Sequence, residues 1–180
     1  MTAIVALVDG NKLWIGGDSA ASDSGSMSLM IRQDEKVFAK GDRFLIGCTT
    51  SYRMISLLRY VFHPPMQREG TTDAEYMNVD FVDAVRKCFR DGGFASSSEM
   101  REVGGEFLVC YNKAIYQVYG DYQVAIPVDS YASCGCASDV CLGSLYATVG
   151  HEPESRIHKA LKAAEHFSGG VRGPFVIRSL

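Results

Sequence analysis

TAIVALVDGNKLWIGGDSA, residues 2–20, reads as two strands folded back on each other. TAIVALVD and KLWIGGD are runs of apolar β-formers, and between them Asp9-Gly10-Asn11 supplies the residue types of a tight turn. The first run starts directly behind Met1, with Ala3, Ile4, Val5, Ala6, Leu7 and Val8 following Thr2 without a lead-in. Chain ends are ordinarily frayed. An apolar start of this kind predicts a terminus built into the sheet. Removal of Met1 would then leave Thr2 with a hydroxyl and a free α-amine at a fixed place.

Working outward, Asp23-Ser24-Gly25-Ser26 predicts a tight return, followed by short strands in MSLMI (27–31), KVFAK (36–40) and RFLIGCTT (43–50). The period then changes. SYRMISLLRYVF (51–62) puts Met54, Ile55, Leu58, Val61 and Phe62 on one helical face, and His63-Pro64-Pro65 ends it. Residues 66–77 read as a polar loop. VDFVDAVRKCFRDGG (79–93) predicts a second helix with Phe81, Val82, Val85 and Phe89 inward, stopped at Gly92-Gly93. Ser96-Ser97-Ser98 reads as loop. GEFLVCYN, AIYQVYG and YQVAIPVD form a predicted meander, in which Tyr111, Tyr116, Tyr119 and Tyr122 serve sheet packing and subunit contact. SYASCG returns to the sheet. Two further helices follow in residues 137–150 and 153–167, the second with Ile157, Ala160, Leu161, Ala164 and Phe167 as its inner stripe and Pro153 in its first turn. GPFVIRSL is a closing strand. Helix pairs grouped apart, rather than alternating with strands, predict two antiparallel sheets between helical layers.

With 180 residues, 47% of them hydrophobic, the chain is expected to form a single domain, 1–180. A net charge of -3 without a basic run removes the electrostatic case for nucleic acid or an anionic membrane. Apolar runs are strand-sized and no signal segment precedes them, so the expected location is cytoplasmic. The six cysteines are expected to be free thiols. SCGCASDVC lacks the paired C-x-x-C spacing of a zinc site, so neither a metal nor a cofactor is expected. The four histidines fall at a helix end, in a loop and on a polar helix face, and none is assigned a catalytic role.

A threonine hydroxyl is a weak nucleophile until a base takes its proton, and an α-amine on the same residue can do this. Its ordinary pKa, about 7.7 to 8.0, suits general-base work near neutral pH. Asp18 ends the strand that pairs with the one carrying Thr2, which directs its carboxylate toward the terminus. Lys36, in QDEKVFAK, offers a cation that lowers the effective pKa of the hydroxyl and is itself held by Asp18. Singly, Asp18 also reads as a turn cap and Lys36 as a strand-edge lysine. Their weight comes from occurring together with Thr2.

These segments together resemble the proteasome β-subunit family of N-terminal nucleophile (Ntn) hydrolases, including the bacterial ATP-dependent heat-shock peptidase and its small bacterial or phage relatives. Thr2 and the TAIVAL strand match the nucleophile end. GGDSAAS (16–22) matches the block carrying the catalytic aspartate at Asp18, and Lys36-Val37 matches the lysine. FLIGCTTSYRMISLLRY (44–60) resembles the strand-to-helix bend whose amide forms the oxyanion hole, which assigns that role to Thr50, where glycine is usual. YASCGCASDVCLGSLYAT (131–148) puts Cys136 in the place of a serine that helps hold the terminal amine and a water. EHFSGGV (165–171) matches Glu165 to an aspartate and Ser168 to a serine of the same site.

The resemblance implies a four-layer αββα sandwich, α+β in class, and a threonine-type endopeptidase subunit with polypeptide substrates. It also implies self-assembly into a homo-oligomeric ring or stacked rings. An ATP-dependent unfoldase would be a separate chain, since no nucleotide-binding loop is encoded here. Two other readings stay open: a catalytically silent structural or assembly subunit that retains Met1, and an Ntn amidase or acylase acting on a small molecule.

Overall fold

The computed structural model describes residues 2–23, 28–98 and 101–180. Met1 and most of the expected turn at Asp23–Ser26 lie outside the described residues. The opening hairpin forms as its sequence requires: β1 (Ile4–Asp9) pairs antiparallel with β2 (Lys12–Gly17), closing Asp9 on Lys12. β3 (Ala20–Asp23) and β4 (Ser28–Ile31) make a separate two-stranded ribbon. β5 (Val37–Lys40) and β6 (Phe44–Cys48) begin the second large sheet.

The helical stretch after β6 departs from a uniform 3.6-residue period. α1 (Tyr52–Ser56) passes into a π-helical turn, Leu57–Val61, in which the Phe62 amide donates to the Leu57 carbonyl at 2.8 Å, five residues back. The wider turn shifts the inner face. Leu57 is buried, whereas Val61, expected inside, is 56% exposed. The expected loop at 66–77 also ends early: α2 (Asp73–Tyr76) starts at Thr72, whose side chain accepts from the Glu75 amide. Thr72-x-x-Glu75 is a capping-box spacing that marks a helix start in sequence. Another π-helical turn, Met77–Phe81, joins α2 to α3 (Val82–Asp91), whose Val82, Val85 and Phe89 are buried.

Ser96–Ser98, expected as loop, forms β7, because Arg101–Val103 (β8) lies antiparallel to it and supplies the backbone partners. The meander appears as β9 (Phe107–Tyr111), β10 (Ala114–Val118) and β11 (Val124–Ala125), the last much shorter than its apolar run. β12 (Tyr131–Cys134), α4 (Ser138–Ala147), α5 (Pro153–Phe167) and β13 (Val176–Ser179) complete the chain. Phe167, expected in the inner stripe of α5, is exposed; Val171, after the helix ends, is buried with that stripe instead.

The sheets run β12-β1-β2-β13 and β11-β10-β9-β6-β5, both antiparallel. Strand alternation sorts the side chains into three buried layers. Ala3, Val5 and Leu7 face α4 and α5, whereas Ile4 and Ala6 meet Leu45, Leu108 and Cys110 between the sheets. Phe44, Ile46, Phe107 and Val109, on the far side of the second sheet, pack under α1–α3. The order is therefore helices, sheet, sheet, helices, the expected αββα sandwich. Close approach on the first sheet depends on Gly16, where a Cβ would lie 2.3 Å from Ile157 of α5. Among the described residues, no helix is long and apolar enough to cross a membrane.

Candidate active site

Neither sheet alone holds the site. Pairing of Ile4 with Gly17 in the first sheet sets Thr2-Ala3 beside Asp18, and the Ala3 amide donates to Asp18 Oδ1 at 3.0 Å. Lys36 comes from the second sheet, immediately before β5, and reaches across the sandwich. Its Nζ lies 2.8 Å from Asp18 Oδ1 and 3.0 Å from Thr2 Oγ1. All three side chains are buried. The remaining carboxylate oxygen, Asp18 Oδ2, accepts from the amides of Ala20 at 3.0 Å and Arg172 at 3.4 Å. A carboxylate with this many donors is fixed in position as well as solvated. Burial pushes the Lys36 pKa below its ordinary value, and the charge of Asp18 pulls it partly back.

The Thr2 backbone is held from another side by the bend after β12. Thr2 N lies 3.3 Å from Cys136 Sγ, and that sulfur is 3.5 Å from Thr2 O and 3.8 Å from Ser168 Oγ. Gly135, at φ +101°, lets this bend come close: a Cβ there would stand 2.3 Å from Thr2 O.

The third wall is the bend after β6. Thr50 has φ +55°, a left-handed conformation that costs a β-branched residue roughly 1–2 kcal/mol. Polar contacts hold it: Glu106 N donates to Thr50 Oγ1 at 3.1 Å, and Thr49 Oγ1 lies 3.1 Å from the same oxygen. Between these walls opens a cavity of about 680 Å³ that reaches Thr2, Lys36, Thr50, Tyr52, Glu106 and Cys136.

Structural comparison finds this arrangement of layers, at low sequence identity, in several solved structures. BPH of Thiobacillus denitrificans, in complex with epoxomicin, superposes with a TM-score of 0.80 at 16% identity, covering 99% of this chain and 98% of that one. HslV from Trypanosoma brucei gives a TM-score of 0.70 at 16% identity, covering 99% of each chain. Anbu, the ancestral β-subunit from Yersinia bercovieri, gives 0.66 at 12% identity, covering 99% of this chain and 81% of that one. This is the proteasome β-subunit-like Ntn hydrolase fold. No protein-family model matches the sequence, and no curated protein matches it either.

Within the proteasome-like fold, Thr2, Asp18, Lys36, Thr50 and Cys136 converge on the cavity or its floor, and Ser168 reaches it through Cys136. Glu165 stands apart. Its Oε1 accepts from Gly173 N at 2.8 Å and its Oε2 from Lys162 at 2.7 Å, so it secures the 171–173 turn whose Arg172 amide in turn contacts Asp18. The six cysteines are all free thiols. Cys48, Cys110 and Cys134 are core residues, and burial pushes the Cys110 thiol up to about 12. Sequence reasoning assigned no site role to Gly135, Thr49, Glu106 or Arg172. Their contacts are long-range, and only the glycine beside Cys136 carried a local signal.

Proposed function

We propose that the chain is a threonine-type peptidase subunit of a self-compartmentalised, proteasome-like assembly, with Thr2 as nucleophile after Met1 is removed. The observation that carries this reading is a buried ammonium, Lys36 Nζ, within hydrogen-bond distance of both Thr2 Oγ1 and Asp18 Oδ1 at the end of an open cavity. A buried cation at 3.0 Å stabilises a developing alkoxide, and Asp18 keeps that cation in place. A scaffold has no evident use for this arrangement.

In the proposed reaction the freed α-amine takes the hydroxyl proton as Thr2 Oγ1 bonds to the peptide carbonyl carbon. The Thr50 amide stabilises the charge that moves onto the carbonyl oxygen. Collapse expels the amine half of the substrate, which receives the proton, and leaves an ester on Thr2. Water, deprotonated by the same amine, then releases the acid and restores the hydroxyl. Cys136 and Ser168 would hold the amine in line. By resemblance, the subunits assemble into rings around a chamber in the cytoplasm and receive polypeptide from a separate ATP-driven unfoldase.

Intact mass and peptide hydrolysis test the reading together. The expected result is loss of Met1 and turnover that Thr2→Ala abolishes, by at least about 10³-fold, with the fold retained by circular dichroism. Epoxomicin, held by the Thiobacillus relative, is the first ligand to try for binding. A chain that keeps Met1 in a methionine-processing host moves the structural-subunit reading ahead.

A further inference from the structure

Among the described residues, the lining of the cavity beside Thr2 has one acidic member, Glu106, and its position is tied to the bend carrying Thr50. The Glu106 carbonyl accepts from Thr49 N at 3.1 Å and from Thr49 Oγ1 at 2.9 Å, while its amide donates to Thr50 Oγ1. Its carboxylate is steadied by Gln117 Nε2 at 2.8 Å from Oε1. Among the described residues, Glu106 has no ion-pair partner.

Two cations belong to the same described lining, Lys36 and Arg53. Lys36 is paired with Asp18. Arg53 keeps its charge but turns its guanidinium toward Gly92, outside this lining, with Nε and a terminal nitrogen at 3.2 and 2.7 Å from the Gly92 carbonyl. Arg32 is paired with Asp34 and stacks 3.8 Å over the Tyr52 ring. With the guanidinium turned away, the described lining offers an entering side chain Thr49, Thr50, Ser51, Tyr52 and the carboxylate of Glu106.

We infer that Glu106 makes this site select polypeptide substrates with a basic side chain next to the scissile bond. A lysine or arginine lays its methylene stem along Tyr52 and Ile55 and brings its charged head to Glu106, a charge-assisted contact held ready by Gln117. Because the backbone of Glu106 also fixes Thr50, seating the basic side chain aligns the substrate with the proposed oxyanion amide. Acidic side chains are excluded by like charge.

The inference rests on the peptidase reading for its meaning but is tested by binding, apart from turnover. Labelled peptides identical except for arginine, leucine or glutamate at the residues flanking the target bond are titrated against full-length Thr2→Ala protein. Arginine is expected to bind about tenfold tighter than leucine, and glutamate weakest, with the preference shrinking as salt rises. Glu106→Gln, which keeps shape and backbone contacts, should reduce the arginine-to-leucine ratio to near one; Glu106→Lys should favour glutamate. Equal affinities, or no measurable binding of the arginine peptide, overturns the inference. Arginine-selective binding without hydrolysis by the Thr2 protein overturns the peptidase reading and leaves the selectivity standing.

Discussion

Two lysine–carboxylate pairs of nearly equal length stand in opposite surroundings. Lys36 and Asp18 meet at 2.8 Å on the floor with side chains 2% and 0% exposed; Lys162 and Glu165 meet at 2.7 Å on an outer rim, away from the cavity lining, with side chains 57% and 22% exposed. Distance does not distinguish them; surroundings do. On the floor, water is replaced by four protein contacts to Asp18, so each partner depends on the other for its solvation. On the rim, water competes with Lys162 for Glu165, and the pair contributes little by itself.

The strongest way to break this contrast is Asp18→Ala. It leaves the Lys36 ammonium buried without its carboxylate, a loss of about 3–5 kcal/mol expected in chemical denaturation. Burial already holds the Lys36 pKa below 10.5, and removing Asp18 takes away what pulls it back. The variant's deficit should therefore be full at pH values below the folded-state pKa and shrink as pH rises toward 10.5, where the unfolded lysine also loses its proton. A deficit that grows with pH would refute the account.

Next in size is Gly135→Ala, which tests whether the floor tolerates movement. The added Cβ meets the Thr2 carbonyl at 2.3 Å, at a φ of +101° that an L-residue resists. Displacing Thr2 by about 1 Å should lower kcat roughly 100-fold while the fold persists, read by steady-state kinetics beside circular dichroism. Cys136→Ser sharpens the comparison from the rim. A hydroxyl is a stronger hydrogen-bond partner than a thiol for Thr2 and Ser168, and about 1 kcal/mol corresponds to a several-fold rise in kcat/KM.

The smallest effect belongs to Glu165→Gln. The Gly173 amide first, and Lys162 second, hold the Glu165 carboxyl below its ordinary 4.5. A depressed carboxylate stabilises the folded state above 4.5, and that contribution fades as pH falls through the folded value. Wild type and Glu165→Gln should thus differ in melting temperature slightly at neutral pH and converge in acid. A difference as large as that of Asp18→Ala would erase the contrast between floor and rim.

Much of the frame was legible because it depends on local pattern. Continuous apolar runs such as TAIVAL and FLVCY marked strands buried on both faces, and the turn residues between runs carried the hairpins. Errors fell where a local rule was displaced by something nonlocal or unread. The π-helical turn at Leu57–Val61 rotated Val61 outward, and β8 turned the serines at 96–98 into a strand. The helix start at Thr72 was different, since its capping spacing was present in the sequence.

For the site, the sequence by itself determined which chemical groups were available: a threonine behind Met1, an aspartate ending the second strand, a lysine preceding the fifth, and a thiol in the bend after the twelfth. Continuous apolar runs of strand length, with the helix pairs grouped apart, also determined that the strands would lie in two stacked sheets, since each such strand has two apolar faces to bury. Only the tertiary structure decided that Lys36 crosses from one sheet to the other to meet Thr2 and Asp18, and that Glu165 turns instead to Gly173. Only the tertiary structure, too, brought Glu106 against the Thr50 bend, fifty-six residues away in the chain. Such contacts are set by how one sheet lies on another, and that packing depends on close approach at residues such as Gly47, where a Cβ would stand 2.5 Å from Ile4 and 2.8 Å from Ile15 of the facing sheet, rather than on any periodicity along the chain.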